Sequence, residues 1–343
     1  MPLSPSSAPD FLPFPGQMEN LGQKDLTVVM PVFNDWGAFK RLVEKIDSVG
    51  LPDTWKISIF AVNDGSSSDF DSKAGCFGDL ERVGKVEILH LNRNLGHQKA
   101  ITVGLAYAAE NLSADAVVVM DSDGEDRPEE IADLVRKSEE FPGRIIFARR
   151  GKRSEGLIFR IFYRLYKMLY RILTGSPISF GNFCLIPSGL LQKLVFVSEI
   201  WNHFAAGVVR SRLPLLTVST ARGQRLEGPS TMSLTSLVVH GLSAIAVHMD
   251  TVAVRLLLAT LSLILLSTLA MGIVAGVRIF TDLAIPGWAT NVSIGLLIIL
   301  MQSFLISLFL VFLILTARSQ KLFVPQTDSS AYVGRLEKVF PPS

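Results

Sequence analysis

The chain has 343 residues, 49% of them apolar, so it can bury one sizeable α/β core and still has a second region to account for. Its formal net charge is only +2 and no basic run is interleaved with aromatic residues, which excludes a dedicated nucleic-acid binder. Cys76 and Cys184 stand far apart without metal-ligand spacing, which excludes a disulfide framework and a zinc site and fits a reducing compartment.

In chain order, residues 1–24 carry Pro2, Pro5, Pro9, Pro13 and Pro15 with no basic start and no apolar run. They read as a disordered lead-in rather than a signal peptide, so the large domain is expected to stay in the cytosol. Residues 26–31 form a short apolar run that ends at Asn34-Asp35, and residues 36–49 then place apolar side chains at helical spacing. Residues 57–62 are a second strand, stopping at Asn63-Asp64-Gly65-Ser66. Residues 86–91 are a third, closed by Asn92-Arg93-Asn94 and followed by an alanine-rich helix over 99–111. A fourth, 116–120, ends at Asp121-Ser122-Asp123; Pro128, Glu129 and Glu130 then suit the first turn of a helix. Residues 145–148 are a fifth strand.

Alternating strands and helices predict a mostly parallel, doubly wound α/β sheet, whose ligands bind beyond the carboxyl ends of the strands. All the polar clusters just named fall there, on one rim. Asp121 and Asp123, at i and i+2 after a strand, can both approach one hard divalent cation, Mg²⁺ or Mn²⁺, with Glu125 as a third oxygen donor.

Beyond the fifth strand the character changes. Over 156–175, Arg160, Arg164, Lys167 and Arg171 make a cationic stripe on an apolar helix, the pattern of a helix lying at a membrane surface. Residues 231–250 are a second interfacial segment, whose His240 and His248 have no evident carboxylate partner. Residues 256–277 and 283–317 then run 22 and 35 residues without a formal charge. At about 1.5 Å per residue the shorter makes roughly 33 Å, enough to cross a hydrocarbon core of about 30 Å. Two spanning helices are expected, at about 252–277 and 290–316. Arg255, Arg318 and Lys321 flank them on the outer sides, which predicts cytoplasmic ends, an external connector and a cytosolic tail over 318–343.

The strings LTVVMPVFN, VNDGSSSD, NRNLGHQKA, MDSDGEDRPEEI and RLEGPSTMSL, in that order, resemble the family 2 inverting glycosyltransferases, above all the bactoprenol glucosyltransferase and dolichol-phosphate mannose synthase group. The resemblance implies a GT-A, Rossmann-like domain over 25–230 and a nucleotide-sugar donor. It aligns Pro31, Phe33, Asn34 and Asp35 with the opening nucleotide loop, and Asp64, Gly65 and Ser66 with the element near the base. Lys99 joins this donor-binding set. Asp121 and Asp123 match the metal and diphosphate motif and Glu125 a further metal-side position, while Arg149 and Arg153 follow the fifth strand and Arg225 and Ser230 close over the phosphates. Asn63 stands where the family often has an acid, Asn182 where Gly-Asp-Phe is common, and Thr231 and Met232 where a lysine and an aromatic residue are frequent.

The implied reaction is inverting transfer to a polyprenyl phosphate at the inner face of the cytoplasmic membrane, with no nucleic acid involved and self-association left open. A phosphate monoester, with a second pKa of about 6, is already a dianion and needs no base. The rivals are the same fold acting on another membrane-associated acceptor, as in polysaccharide synthesis, and a non-catalytic nucleotide-sugar-binding tether.

Overall fold

The computed structural model describes residues 22–341 except 69, 71–76, 151–156, 176–180, 222, 224, 227–233, 282–284 and 286, with the backbone alone at 150, 157–163, 234, 235 and 237. In chain order the elements are β1 (Lys24–Val32), α1 (Trp36–Asp47), β2 (Trp55–Asn63), β3 (Val83–Leu91), α2 (His97–Asn111), β4 (Ala116–Val119), α3 (Glu130–Glu140), β5 (Ile145–Arg150) and α4 (Leu157–Thr174). There follow β6 (Cys184–Pro187), α5 (Ser188–Leu194), α6 (Phe204–Ser211), β7 (Leu215–Thr220), α7 (Leu234–Ala246), α8 (Met249–Phe280), α9 (Trp288–Ser319), α10 (Pro325–Asp328) and β8 (Val333–Phe340).

Eight strands make one sheet in the order β7-β5-β6-β4-β1-β2-β3-β8. Six run in one direction, while β6 and β8 are antiparallel to their neighbours. All five expected strands form; β6, β7 and β8 are additional, so the sheet is mixed. The central strands read as unbroken apolar runs because both faces are covered. Val28 and Met30 pack with Phe39 and Leu42 of α1, whereas Val29, Phe60 and Val62 meet Ile101 and Val103 of α2. Layers on both faces leave the carboxyl ends of the parallel strands as the open rim.

The last two long helices obey a different rule. α8 and α9 are 32 residues each, with mean hydropathies of 2.3 and 2.8 over their most apolar stretches, of which only 11% and 17% of residues are buried. At 1.5 Å per residue each is about 48 Å long. They outrun the expected limits because helical hydrogen bonding continues through the charged flanks at Asp250, Arg255, Arg278 and Arg318. Small polar side chains hold the pair together: Ser267, Ser303 and Ser307 are buried, and Thr260 Oγ1 lies 2.8 Å from Ser307 Oγ. Leu265 and Phe312 point outward, 71% and 66% exposed.

The segment after α9 is more than the expected tail. Residues 333–340 form β8, which pairs with β3 through Glu337↔Ile88 and Leu336↔Leu89. Both ends of the α8–α9 hairpin therefore stand on the same side as the sheet. Upstream, α4 packs through Tyr170, which is buried, and Tyr166, whose hydroxyl donates to the Gly241 carbonyl at 3.3 Å. Arg164, Lys167 and Arg171 are exposed on it together with Leu165, Met168, Leu169 and Ile172, while the Arg160 side chain lies outside the described residues. Apolar and cationic side chains thus share one open surface.

Candidate active site at the carboxyl rim of the sheet

β1 ends in a turn that leaves Pro31 buried and Phe33 52% exposed. Asn34 follows with φ 56°, a left-handed conformation that asparagine tolerates better than most residues. Its backbone N–H donates to Ser66 Oγ at 2.9 Å, and its side-chain oxygen accepts from the N–H and hydroxyl of Ser67 at 2.8 and 3.0 Å. The loops after β1 and β2 are thereby locked together.

Asn63 explains its own departure from an acid. Its Oδ1 accepts from the Ser66 N–H at 2.9 Å, which orients its amide nitrogen toward His90 Nδ1, 3.0 Å away. That leaves the His90 proton on Nε2, which donates to Glu337 Oε2 of β8 at 2.9 Å. An acid at 63 would offer no donor to His90. Asp64, next in sequence, is buried and spans to the following loop, accepting from the N–H groups of Leu95 and Gly96 at 2.7 and 2.9 Å. Burial raises its pKa above the usual carboxylate value, against the pull of those two bonds and of His97 and Lys99. Gly65 has φ 68°, and a Cβ there would stand 2.6 Å from Asn94 N, so only glycine fits.

The acidic loop after β4 is built by its own backbone. The Asp121 N–H donates to the buried Asp126 carboxylate at 3.0 Å, and Asp123 Oδ1 accepts from the Glu125 N–H at 2.9 Å. The chain after β7 then lies across it: Gly223 and Leu226 donate N–H bonds to the carbonyls of Glu125 and Asp123, both at 2.9 Å. Contact is so close that a Cβ on Gly223 would meet the Gly124 carbonyl oxygen at 2.4 Å. This cover delivers Arg225, whose guanidinium reaches Asp35 at 3.4 Å and Asp123 at 3.7 Å. The Asp123 pKa is raised by burial first, eased by the Glu125 N–H, and raised further by the charges of Asp121 and Glu125, with Arg225 opposing. Negative charge is crowded here.

His97 is the residue that sequence reasoning missed. As the first residue of α2, its Nε2 lies 3.1 Å from Asp121 Oδ1 and 3.0 Å from Asn182 Nδ2. Desolvation opposes its charge, but Asp121, Asp123 and Asp126 outweigh that and raise its pKa. The string NRNLGHQKA contains it beside a strand end, which was the available signal. Asn182, the second departure from an acid, is therefore also paired with a histidine.

The other expected site residues divide. Arg149 is exposed at the carboxyl end of β5. Lys99 directs its ammonium over the Trp201 ring, 5.2 Å from the centroid, while still contributing charge near Asp64. Arg153 and Ser230 lie outside the described residues. Burial and the charge of His97 lower the His240 pKa, and the charge of Asp121 opposes them. A cavity of ≈ 270 Å³ opens beside the acidic loop, bounded by Gly124, Arg127, Gly223, Arg225 and Leu226. A larger one, ≈ 690 Å³, lies by Thr27, Ser58 and Lys85 at the opposite ends of the strands, remote from these carboxylates.

The sequence matches the family described as Glycosyl transferase family 2 over residues 27–194. It is 29% identical over 281 residues to the glycosyltransferase YkcC of Bacillus subtilis, covering 79% of this chain and 83% of that protein. It is 27% identical over 226 residues to the undecaprenyl-phosphate 4-deoxy-4-formamido-L-arabinose transferase of Yersinia enterocolitica, covering 63% of this chain and 64% of that one, which is under two thirds of its length. Among solved structures, glucosyl-3-phosphoglycerate synthase from Mycobacterium tuberculosis superposes with a TM-score of 0.48 at 17% identity, covering 70% of this chain and 85% of that one.

Proposed function

This chain is a glycosyltransferase whose residues 27–194 form a glycosyl transferase family 2 domain, and from that premise we propose that it transfers a sugar from a UDP- or GDP-linked donor to a polyprenyl phosphate at the cytoplasmic face of a membrane. One observation carries the reading. Asp121 of the acidic loop lies near enough for its charge to act on His240 of α7, and α7 leads into the apolar α8–α9 hairpin, which would bring donor chemistry and lipid surface together. The name of the Yersinia relative supports the acceptor class.

On this reading the lattice of Asn34, Asn63, Ser66 and Ser67 seats the nucleoside, and Arg225 supplies positive charge to the diphosphate. An oxygen of the acceptor phosphate attacks the anomeric carbon from the far side. The new C–O bond forms as the bond to the diphosphate breaks, its electron pair leaves with the nucleoside diphosphate, and the centre inverts. A dianionic acceptor makes a general base unnecessary.

Asp121 and Asp123 would hold Mg²⁺ or Mn²⁺, which when bound neutralises the charge of the departing diphosphate. The residues fit such an ion. They are hard oxygen donors amid crowded negative charge, while among the described residues no three acidic, histidine or cysteine side chains are grouped to hold an ion by themselves. A cation that completes its shell with phosphate oxygens and water needs no more, with Glu125 adding charge nearby.

The hairpin anchors the domain, and Arg164, Lys167 and Arg171 contribute about 1 kcal/mol each against anionic headgroups. The pairing of β8 with β3 supports an even number of crossings, with the sheet and the chain's end together in the cytosol. The deciding experiment incubates purified protein, Mn²⁺ and a polyprenyl phosphate with a panel of UDP- and GDP-sugars and weighs the lipid product by mass spectrometry. Donor breakdown without any glycosylated lipid, across the panel, would refute the acceptor assignment.

A further inference from the structure

On the side of the rim that faces the apolar helices, the acidic loop gives way to imidazoles. His203 caps α6 and is buried, with Nδ1 accepting the Ala206 N–H at 3.3 Å, so its own proton sits on Nε2. The His240 ring, on α7, lies 4.5 Å from it between centroids, at an interplanar angle of 37°. Burial, then His240, lowers the His203 pKa to about 3, with His97 also contributing; burial and His97 lower that of His240, with Asp121 opposing. His97 stands beside Asp121, its neighbour Gln98 bonds Phe204 next to His203, and His203 faces His240, so the four share one neighbourhood.

The scaffold around it is firm. Gln98 accepts the Phe204 N–H at 2.7 Å and donates to Asn182 Oδ1 at 3.4 Å, while Asn182 meets His97. A line of polar contacts thus runs from Asp121 through α2 and the start of β6 to α6. Behind it, a Cβ on Gly241 would stand 3.0 Å from the Tyr166 ring, so α7 is pressed onto α4. Among the described residues no three histidine, cysteine or acidic side chains are grouped so as to hold a metal ion, so the histidines here make no metal centre with a third ligand. The cluster is rich in ring nitrogens.

We propose that His240 and His203, together with His97 beside Asp121, form the seat for the phosphate of the acceptor, a phosphate monoester entering from the α4–α7 side. The assignment rests on the acceptor reading above. Imidazole N–H groups offer a phosphate several donors without a fixed charge that would compete with Arg225 for the donor diphosphate.

The test uses the full chain in detergent micelles, with a long polyprenyl phosphate, a short water-soluble isoprenyl phosphate and inorganic phosphate as probes. In His240→Phe, the KM for both isoprenyl phosphates should rise about tenfold or more and inhibition by inorganic phosphate should weaken alike, while the KM for the nucleotide sugar moves by less than about threefold. His240→Gln, which keeps an N–H donor, should recover part of the loss and guards against a misfolded variant. A parallel rise in the donor KM would overturn the proposal, because the ring would then serve the donor pocket. A loss confined to the long acceptor would overturn it as well, since His240 would then meet the bilayer rather than the phosphate. If the unaltered protein glycosylates no lipid phosphate, the acceptor reading fails by itself. ³¹P-detected binding of inorganic phosphate, present in the unaltered chain and lost in His240→Phe, still decides the seat.

Discussion

Phe39, Phe60 and Phe147 are at most 1% exposed in the sheet, whereas Phe309 and Phe312 of α9 stand 60% and 66% exposed. The same side chain meets two environments. In the sheet, apolar residues face other layers and polar ones reach water; in the hairpin, serines and threonine lie inside and the large apolar residues point out. Hydrophobicity therefore marks where an element meets its surroundings, and only burial says whether those surroundings are protein. The chemistry we propose sits in neither apolar region but on the polar rim of the sheet.

If that division is right, substitutions in one region should leave the other untouched. The largest effect belongs to the rim: Asp123→Ala should cut sugar transfer by about 10⁴-fold, or roughly 5.5 kcal/mol, with the circular dichroism spectrum and membrane retention unchanged. Activity above about a tenth of the original would remove Asp123 from the chemistry. Next, Phe39→Ala should destabilise the sheet by about 3–5 kcal/mol in urea titrations, while Phe312→Ala, open to lipid, should cost less than about 1 kcal/mol. Equal costs would erase the contrast.

Changing Arg164, Lys167 and Arg171 together to Gln removes about 3 kcal/mol of attraction to anionic headgroups. Lipid transfer should fall further than donor hydrolysis; a matched fall in both would make α4 part of the catalytic core. The smallest effect is Arg225→Gln, about tenfold at neutral pH. Asp123 is held up by burial and by its acidic neighbours, and Arg225 pulls it down, so removing the guanidinium raises its pKa further. The acid limb of kcat/KM against pH, where Asp123 takes up its proton, should then move to higher pH. A limb that stays or moves lower would contradict the Arg225–Asp123 pairing.

The central strands, α1, α2 and the hairpin were legible because layers and lipid both demand long apolar patterns. β7 and β8 were not, for edge strands are half open and tolerate charges such as Arg335, Glu337 and Lys338. β6 is only four residues long, too short for a period to show. At the site, the acidic loop declared itself through spacing, whereas the roles of Asn63 and Asn182 depend on histidines that only the folded rim supplies. Glu337 lies 247 residues from His90, beyond the reach of any local pattern.

β8 leaves the ribosome after both apolar helices. Until it arrives, β3 is an open edge whose backbone groups can recruit a stranger's strand, and the Asn63–His90 pair lacks the Glu337 carboxylate. Insertion of the hairpin thus becomes a step in maturation. A copy that misses the bilayer is expected to remain sticky and incomplete, a ready substrate for quality control instead of a stray enzyme loose in the cytosol.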